Sequence, residues 1–151
     1  MLDQTDRRML RLLQSEGRIT NHELATRCNM SPAASHERFK RLKEKGVIQG
    51  FAALIDPEKV DRSLLVFVEV LLHRTTGDVF GQFAAAILRA PEVMECHMVA
   101  GGFDYLVKVR VQDMKAYRAF LGTTLAELPG VRETRTYAVL EQIKSSVQIP
   151  L

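Results

Sequence analysis

The sequence predicts an α+β protein in which an N-terminal (winged) helix-turn-helix domain precedes a βαββαβ domain of the ferredoxin-like type. Helical spacing of apolar residues, with capping residues at the right positions, dominates the first 60 residues. Beyond residue 63, strand-like apolar runs alternate with two amphipathic helical stretches. A helix–Pro–strand pattern also occurs twice, at residues 90–93 (APEV) and 128–131 (LPGV). We therefore assign residues 1–60 to the first domain and residues 61–151 to the second.

Three helices are predicted in the first domain, each with its own start signal. Asp3 is placed to cap the first helix, whose apolar residues recur at helical spacing as far as Gly17. Thr20 and Glu23 form the capping box that begins a second, short helix. Ser31 is placed to cap the third. Because the turn between the second and third helices has only a few residues, the arrangement is a helix-turn-helix.

The stretch at residues 30–48, MSPAASHERFKRLKEKGVI, predicts a third helix that begins with small residues and then becomes basic. Pro32 suits the first helical position, and Gly46 suits the C-terminal cap. Phe39 and Leu42, with the small Ser35 one turn earlier, share one face and are expected to pack inward. The outward face then carries Ala33, Ala34, His36, Glu37, Lys40 and Arg41, with Arg38 at its edge.

This outward face predicts double-stranded DNA as a partner. A helix that enters the major groove by its N-terminal turn needs small residues there, so that it can approach the base edges. Its later turns run beside the phosphates, where Arg and Lys release counterions and supply most of the affinity. The candidate DNA-binding residues are Ser31, Ala33, Ala34, His36, Glu37, Arg38, Lys40, Arg41 and Lys43. The alternative is an amphipathic helix whose polar face is merely solvated.

The distribution of charge supports the DNA interpretation. The net charge is +3, and the first 60 residues hold 11 Lys and Arg against 8 Asp and Glu. The remaining residues hold 10 of each sign. An excess of positive charge confined to one domain indicates a polyanionic partner for that domain only.

The second domain is predicted from strand and helix patterns in turn. Residues 48–55 (IQGFAALI) read as a strand that serves as a wing or a dimerising arm, and residues 56–63 read as a linker. The later strands are expected at residues 64–73, 93–100, 103–111 and 131–140, and the helices at residues 78–89 and 113–128. Gly101 and Gly102 signal a tight hairpin. Two helices would cover one face of the sheet, and a second subunit is the simplest cover for the other.

No catalytic or metal-binding constellation emerges from the sequence. Cys96 and His97 are neighbours, but adjacent residues of a strand point to opposite faces. The chain has no run of about 18 apolar residues and no signal-peptide core. Its two distant cysteines suit a reducing compartment. We therefore expect a cytoplasmic protein that is not an enzyme, carries no cofactor or metal, and does not associate with membranes.

A helix-turn-helix followed by a βαββαβ domain resembles the Lrp/AsnC (leucine-responsive/asparagine regulator, feast/famine) family of transcription factors. The matching segments of the first domain are residues 2–14, 23–25, 31–42 and 46–51. Those of the second domain are residues 91–93 (PEV), 101–105 (GxxDY) and 128–131 (LPGV), and Lys144. The combination is specific because it extends along nearly the whole chain, whereas any one motif alone would be weak.

The resemblance implies a sequence-specific regulator of amino-acid metabolism whose DNA binding or assembly responds to a small amino acid. It also implies dimers formed through the sheets, which assemble further, often into octamers, with effectors bound where dimers meet. The implied effector-binding residues are Val99, Ala100, Gly101, Gly102, Phe103, Asp104, Thr134 and Thr136. Gly101 and Gly102 would expose backbone donors to a carboxylate, and Asp104 would hold an ammonium group.

Two departures from the family pattern bear on the effector. Ala100 stands where Thr is frequent, and Gly102 and Phe103 stand where a polar residue is common. Both departures remove polar groups, so we expect a small, mostly apolar amino acid. The segment at residues 95–106 (ECHMVAGGFDYL) resembles family members that control proline utilisation, which makes proline a candidate.

Three other functions stay open at this point. An architectural protein that wraps DNA without any effector would use the same helices. An enzyme on a ferredoxin-like fold would need paired titratable groups in a cleft, and the sequence shows none. A helix-turn-helix used only for protein contacts would leave the basic face without a role.

Overall fold

The computed structural model of the protein describes residues 1–73 and 77–151. The chain divides into two compact units. One is formed by Met1–Leu54 together with Lys144–Leu151, and the other by Ile55–Ile143. This division lies close to the predicted boundary at residue 60, but it places the last residues of the chain in the first unit.

Three helices form the first unit: α1 (Gln4–Ser15), α2 (Asn21–Arg27) and α3 (Pro32–Glu44). Their predicted caps are confirmed. Asp3 Oδ1 accepts from the Asp6 amide at 2.7 Å, and Thr20 Oγ1 accepts from the Glu23 amide at 3.2 Å. In each pair the later carboxylate bonds back to the amide of the cap, which completes a capping box. Gly46 follows α3 with a φ of 68°, as a C-terminal cap requires.

The first unit buries a small apolar cluster between its helices. Its buried members are Met9, Leu10, Leu13, Leu24, Cys28 and Leu42. Phe39 packs against this cluster, and its ring centroid lies 6.2 Å from that of Phe51. Ser35 is fully buried. The predicted inward face of α3 is thus confirmed, and the opposite face is left at the surface.

Residues 48–55 do not form the predicted strand. No strand is present in this segment of the described chain, and Phe51, Leu54 and Ile55 are exposed. A strand needs a neighbour that satisfies its backbone groups, and the described part of this single chain provides none here. The predicted strand is therefore absent from this single chain, while a role as a dimerising arm, which needs a second subunit, stays a prediction.

Within the described residues, the second unit follows the predicted order βαββαβ. Its elements are β1 (Leu64–Leu72), α4 (Val79–Ile87), β2 (Val93–Met98), β3 (Tyr105–Val111), α5 (Met114–Phe120) and β4 (Val131–Ala138). A short 3₁₀ turn, Glu58–Val60, precedes β1, and a π-helical turn, Leu121–Leu125, extends α5. All paired strands are antiparallel, in the order β2-β3-β1-β4. This order confirms the ferredoxin-like fold.

The connection between β2 and β3 differs from the predicted tight hairpin. β2 ends at Met98 and β3 begins at Tyr105, so the connecting loop covers residues 99–104. A two-residue hairpin turn requires positive φ angles, and neither Gly101 nor Gly102 adopts one. The tight-hairpin prediction is wrong, because the chain makes a wider loop at this end of the sheet.

Alternate residues of β1 separate the two faces of the sheet. Val66, Val68 and Val70 are fully buried and join the core beneath the helices. That core also contains Phe83 of α4 and Phe120 of α5, so both helices lie on this face. The opposite face carries half-buried side chains from β1, namely Phe67, Glu69 and Leu71. The two helices therefore cover one face only, as predicted.

Candidate DNA-binding interface and effector cleft

The turn between α2 and α3 holds the start of α3 in place. Asn21 Nδ2 donates to the Pro32 carbonyl oxygen at 2.9 Å, and Ser31 Oγ accepts from the Ala34 amide at 3.2 Å. Asn29 has a φ of 56°, a left-handed conformation that asparagine adopts more readily than most residues. The first turn of α3 is thereby fixed from both sides, with its small side chains exposed.

The outward face of α3 has the exposure that the sequence predicts. The exposed candidates are Ser31, Ala33, Ala34, His36, Glu37, Lys40, Arg41 and Lys43. Arg38 is the exception, since only 25% of its side chain is exposed. One continuous surface therefore begins with small residues and ends with cations, as major-groove entry requires.

Arg38 is turned toward α1, where it meets two carboxylates. Its Nη1 lies 2.6 Å from Asp3 Oδ2 and 2.7 Å from Asp6 Oδ1. Arg41 Nη2 donates to the same Asp6 oxygen at 3.0 Å. Because Asp6 is only 3% exposed, this cluster is a partly buried ionic link between α1 and α3.

The cluster shifts the pKa of each of its main members toward the charged form. Burial raises the pKa of Asp6, but the hydrogen bonds from Arg38 and from the Asp3 amide outweigh burial and lower it overall. The Asp6 amide, followed by Arg38, lowers the pKa of Asp3. Hydrogen bonds to Asp3 and Asp6 raise the pKa of Arg38. All three groups are therefore charged at neutral pH.

The remaining cations of α3 are less engaged. Lys40 Nζ lies 3.9 Å from Glu44 Oε1, with more than half of both side chains exposed, at 58% and 64%. Lys43 Nζ lies 5.9 Å from the centroid of the Phe39 ring. Neither contact removes the ammonium group from solvent. Lys40 and Lys43 are therefore better placed than Arg38 to meet a phosphate.

A second basic surface, which the sequence reading passed over, lies on α1. Three exposed arginines line a cleft of about 580 Å³ on this helix, namely Arg7, Arg8 and Arg11. The other lining residues are Gln4, Thr5, Cys28 and Asn29. The signal was present in the sequence, because these arginines lie opposite the buried Met9 and Leu10 on a helix. It was overshadowed by the stronger helix-turn-helix pattern.

The loop at residues 99–104 is fastened to the end of β1 through Asp104. The Asp104 amide donates to the Val70 carbonyl oxygen at 3.0 Å, and Asp104 Oδ2 accepts from the Leu72 amide at 2.8 Å. The Val99 amide donates to the Asp104 carbonyl oxygen at 3.0 Å. Asp104 is only 8% exposed. One carboxylate oxygen thus positions the loop, which is a structural task for a residue that the family resemblance implies as a ligand of the effector.

An open cleft of about 440 Å³ lies beside this loop. Its lining residues are Leu71, Leu72, His73, Gly101, Gly102, Phe103, Asp104 and Arg132. A side chain at Gly101 or Gly102 would meet no atom within 4 Å, so these glycines border open space. Four of the residues implied by the family resemblance are therefore brought together at one cleft.

The other four implied residues are placed differently. Val99, Ala100, Thr134 and Thr136 do not line the cleft. Thr136 Oγ1 lies 2.6 Å from the Tyr117 hydroxyl oxygen, on the face covered by the helices. Burial raises the pKa of Tyr117, and this hydrogen bond offsets part of that rise. In the single chain, Thr136 therefore serves to hold α5 on the sheet.

The cleft adds two polar residues that the sequence reading missed. His73 follows β1 directly, and Arg132 lies at the start of β4. Both are exposed. No local pattern marks them, because β1 and β4 meet only through the sheet, where Leu72 is the partner of Val131. Arg132 brings a cation to a cleft whose predicted residues offered only Asp104 and backbone amides.

The described residues show no arrangement for nucleophilic or metal chemistry. Burial raises the pKa of the Cys96 thiol, and His97 Nε2 lies 3.2 Å from Glu95 Oε2 and not beside the sulfur. No cluster of metal-ligating side chains occurs within residues 1–73 and 77–151. In the same part of the chain, no helix has the length and apolar content needed to cross a bilayer.

Two family models match the two halves of the chain. Residues 2–49 match a winged helix-turn-helix DNA-binding model, and residues 65–149 match the Lrp/AsnC ligand binding domain. The second match alone covers more than half of the chain. The matches assign DNA binding to the unit that displays α3 and ligand binding to the unit with the loop cleft.

Relatives with known names agree with these matches. The chain is 54% identical over 145 residues to the leucine-responsive regulatory protein of Salmonella typhimurium, covering 96% of this chain and 88% of that protein. A Neisseria meningitidis transcriptional regulator solved with L-methionine has a TM-score of 0.94 and 37% identity, covering 99% and 97% of the two chains. A Mycobacterium tuberculosis feast or famine regulatory protein complexed with L-methionine has a TM-score of 0.90 and 35% identity, covering 99% of both. The chain belongs to the Lrp/AsnC family of DNA-binding transcription regulators.

Proposed function

We propose that the protein is a cytoplasmic regulator of amino-acid metabolism that reads DNA with the outward face of α3 and responds to an apolar amino acid bound beside the loop at residues 99–104. The observation that carries this proposal is α3 itself. Its inward face is buried, its start is fixed by the turn, and its exposed face passes from small residues to cations. Its role is regulatory and not enzymatic.

The residues of α3 divide into three roles in this proposal. Ala33, Ala34, His36 and Glu37 face base edges, because they occupy the exposed first turns. Lys40, Arg41 and Lys43 contact phosphates. Arg38 acts mainly as a positioning residue, because its guanidinium already holds Asp3 and Asp6. Ser31 caps the helix beside the DNA surface.

Replacing Lys43 with Ala tests the phosphate assignment. We expect weaker binding to all DNA sequences alike and a salt dependence whose slope falls by about 1, since one cation no longer displaces counterions. Fluorescence anisotropy with labelled DNA across a salt series measures both quantities. Lys59→Ala in the second unit is the matched control and should change neither. A loss confined to one base position would contradict the assignment.

The effector cleft offers complementary partners for a zwitterionic amino acid. Arg132 and the backbone amides of Gly101 and Gly102 are suited to a carboxylate, and Asp104 supplies negative charge at the cleft wall. Leu71 and Phe103 provide apolar surface for a side chain. Val99, Ala100, Thr134 and Thr136 are proposed to contribute only where subunits meet, because they do not line the cleft of one chain.

The proposed effector is an apolar α-amino acid, with methionine and leucine as first candidates. Methionine is the ligand named for two solved relatives, and leucine is in the name of the relative from Salmonella typhimurium. Proline, the candidate from the sequence, has no support among these relatives. The apolar lining at Leu71 and Phe103 is consistent with the preference predicted from Ala100 and Gly102.

A thermal-shift screen of the twenty amino acids tests the effector proposal. A ligand that binds only the folded protein stabilises it by about 2.7 kcal/mol at 100 times its Kd. We expect a rise in Tm with methionine or leucine that Arg132→Gln abolishes. Arg135→Gln is the matched control, because Arg135 lies on the same strand but pairs with Glu133 outside the cleft. If none of the twenty amino acids changes the Tm and the protein still binds DNA, an architectural DNA-wrapping protein would be favoured.

Assembly is part of the proposal. The sheet face opposite the helices carries Phe67, which pairs in register with the half-exposed Tyr137. We propose that this face is covered by a second subunit and that dimers assemble further, to an octamer. Light scattering coupled to size-exclusion chromatography measures the mass. A monomer at micromolar concentration would contradict the assembly proposal without affecting the assignment of α3.

A further inference from the structure

The last residues of the chain return to the first unit and bind α1. Gln14 Nε2 donates to the Ile149 carbonyl oxygen at 3.0 Å, and the Ile149 amide donates to Gln14 Oε1 at 2.6 Å. Gln148 Nε2 donates to the Gln14 carbonyl oxygen at 3.3 Å. Arg11 Nη1 donates to the Leu151 carbonyl oxygen at 3.0 Å. Two successive turns of α1 therefore contact one short segment.

The contact recognises main chain more than side chain. The side-chain amide of Gln14 both donates to and accepts from Ile149, as the backbone of a neighbouring strand would. It therefore satisfies both backbone groups of Ile149. Pro150 has no amide hydrogen, so no donor is left over between Ile149 and Leu151. Ile149 as a whole residue is 67% exposed. At Ile149, specificity thus comes from the backbone hydrogen bonds with Gln14, whereas Leu151 is only 36% exposed and buries more of its surface.

A contact of this kind has a small net free energy and therefore opens easily. Each hydrogen bond replaces one to water, so its net contribution is small, and ordering the segment opposes it. The segment also belongs to a chain that enters the second unit at Ile55 and leaves it after Ile143. When the contact is closed, the two units are joined by the peptide link at residues 54–55 and also by the hydrogen-bonded segment that follows Ile143. When it is open, only the path at residues 54–55 joins them.

We propose that Arg11 and Gln14 form a docking site for the chain's own segment at residues 146–151, and that this strap limits the freedom of the DNA-binding unit. The functional part rests on the proposed DNA-binding role. In a dimer, both helix-turn-helix units must reach their half-sites together. A tethered unit loses less conformational freedom on binding than a loose one. Opening the strap therefore weakens binding to paired half-sites more than binding to a single half-site.

Gln14→Glu is the variant that tests the docking. A glutamate at this position cannot donate to the Ile149 carbonyl oxygen and places negative charge beside it, while helix propensity is kept. Gln4→Glu is the matched control, since it makes the same charge change on α1 about 15 Å along the helix from Gln14. Far-UV circular dichroism and tyrosine fluorescence, which should match the parent protein, verify that both variants fold.

Hydrogen exchange at the Ile149 amide is the direct readout. We expect protection in the parent protein and in Gln4→Glu, and exchange at least about fivefold faster in Gln14→Glu. Trypsin cleavage after Lys144, followed by intact mass, should accelerate in the same variant only. An unprotected Ile149 amide in the parent protein would overturn the strap. If the protection of the Ile149 amide disappears on dilution, the segment binds α1 of a second copy of the chain. That result would overturn the proposed intramolecular contact.

DNA binding then tests the functional part separately. We expect Gln14→Glu to lower the affinity for paired half-sites about tenfold relative to Gln4→Glu, with the single half-site affinity unchanged. Loss of protection without any change in this ratio would overturn the coupling while leaving the docking intact. A parent protein that binds no DNA would instead overturn the proposed function, since the exchange readout does not depend on DNA.

Discussion

Different kinds of contact stabilise the interior of each of the two units. In the described chain, the core of the second unit contains 16 buried residues from a sheet and two helices. The apolar cluster of the first unit has 6. The first unit compensates with two capping boxes and with the ionic link from Arg38 and Arg41 to Asp6.

The difference reflects size. A unit of some sixty residues buries a smaller fraction of its surface than a larger one, so directional polar contacts make up more of its stability. Such contacts also fix the angle at which α3 is presented, which apolar packing alone specifies less tightly. The unfolding of the second unit can be followed separately by tyrosine fluorescence. All three tyrosines (Tyr105, Tyr117 and Tyr137) lie in this unit, and the chain has no tryptophan.

Gly130→Ala is expected to have the largest effect, and only on the second unit. Gly130 has a φ of 75°, and an added Cβ would clash with Val79 Cγ2 of α4. Backbone strain and overpacking together should cost about 2–4 kcal/mol. Urea unfolding followed by tyrosine fluorescence measures this loss. Gly122→Ala, where a Cβ would meet no atom within 4 Å, is the control and should be nearly neutral. Equal effects of the two variants would contradict the packing argument.

Asp6→Asn should have the next largest effect, and on the first unit. It removes the negative charge from Arg38 and Arg41 while keeping the shape of the side chain, so we expect a loss of about 2 kcal/mol. Amide exchange in α1 and α3 should accelerate, while the tyrosine transition stays in place. Glu16→Gln is the control, because its pair with Arg27 is half-exposed and worth about 0.5 kcal/mol. A shift of the tyrosine transition with Asp6→Asn would contradict the assignment.

Acid should weaken the same link in the unaltered protein, and by less. The pKa values of Asp3 and Asp6 are lowered by folding, so their stabilising contribution is complete above the unfolded value of about 3.8. It is lost as the pH falls through that value toward the lower folded values. Amide exchange in α1 and α3, corrected for intrinsic rates, should therefore accelerate as the pH falls below about 4. Unchanged protection over this window would mean that neither carboxylate gains from Arg38.

Ser35→Ala is expected to have the smallest effect and the opposite sign. The Ser35 hydroxyl is fully buried and has no hydrogen-bond partner among the described residues. Removing it relieves the desolvation penalty and raises helix propensity, which should stabilise the first unit by up to about 1 kcal/mol. Thermal unfolding by circular dichroism measures the gain. Destabilisation would show that the hydroxyl is satisfied, for instance by a buried water.

The sequence was most informative where a few neighbouring residues decide the structure. Asp3, Thr20 and Ser31 all cap helices as predicted, because a cap bonds to an amide within three residues. The apolar run at residues 64–73 likewise predicted β1, which the structure places at Leu64–Leu72. It was less informative where distant parts meet, as at residues 48–55, which lack a partner strand.

The candidate sites divide along the same line. The sequence by itself determined the three helices, the exposed face of α3 and the βαββαβ order of the second unit, because periodicity and capping act within one turn or strand. Only the tertiary structure decided that Arg38 forms an ion pair with Asp6, that Asp104 accepts a hydrogen bond from the Leu72 amide, and that Arg132 lines the cleft. Each of these contacts joins elements far apart in the chain, and a side chain's partner across such a distance depends on how those elements pack.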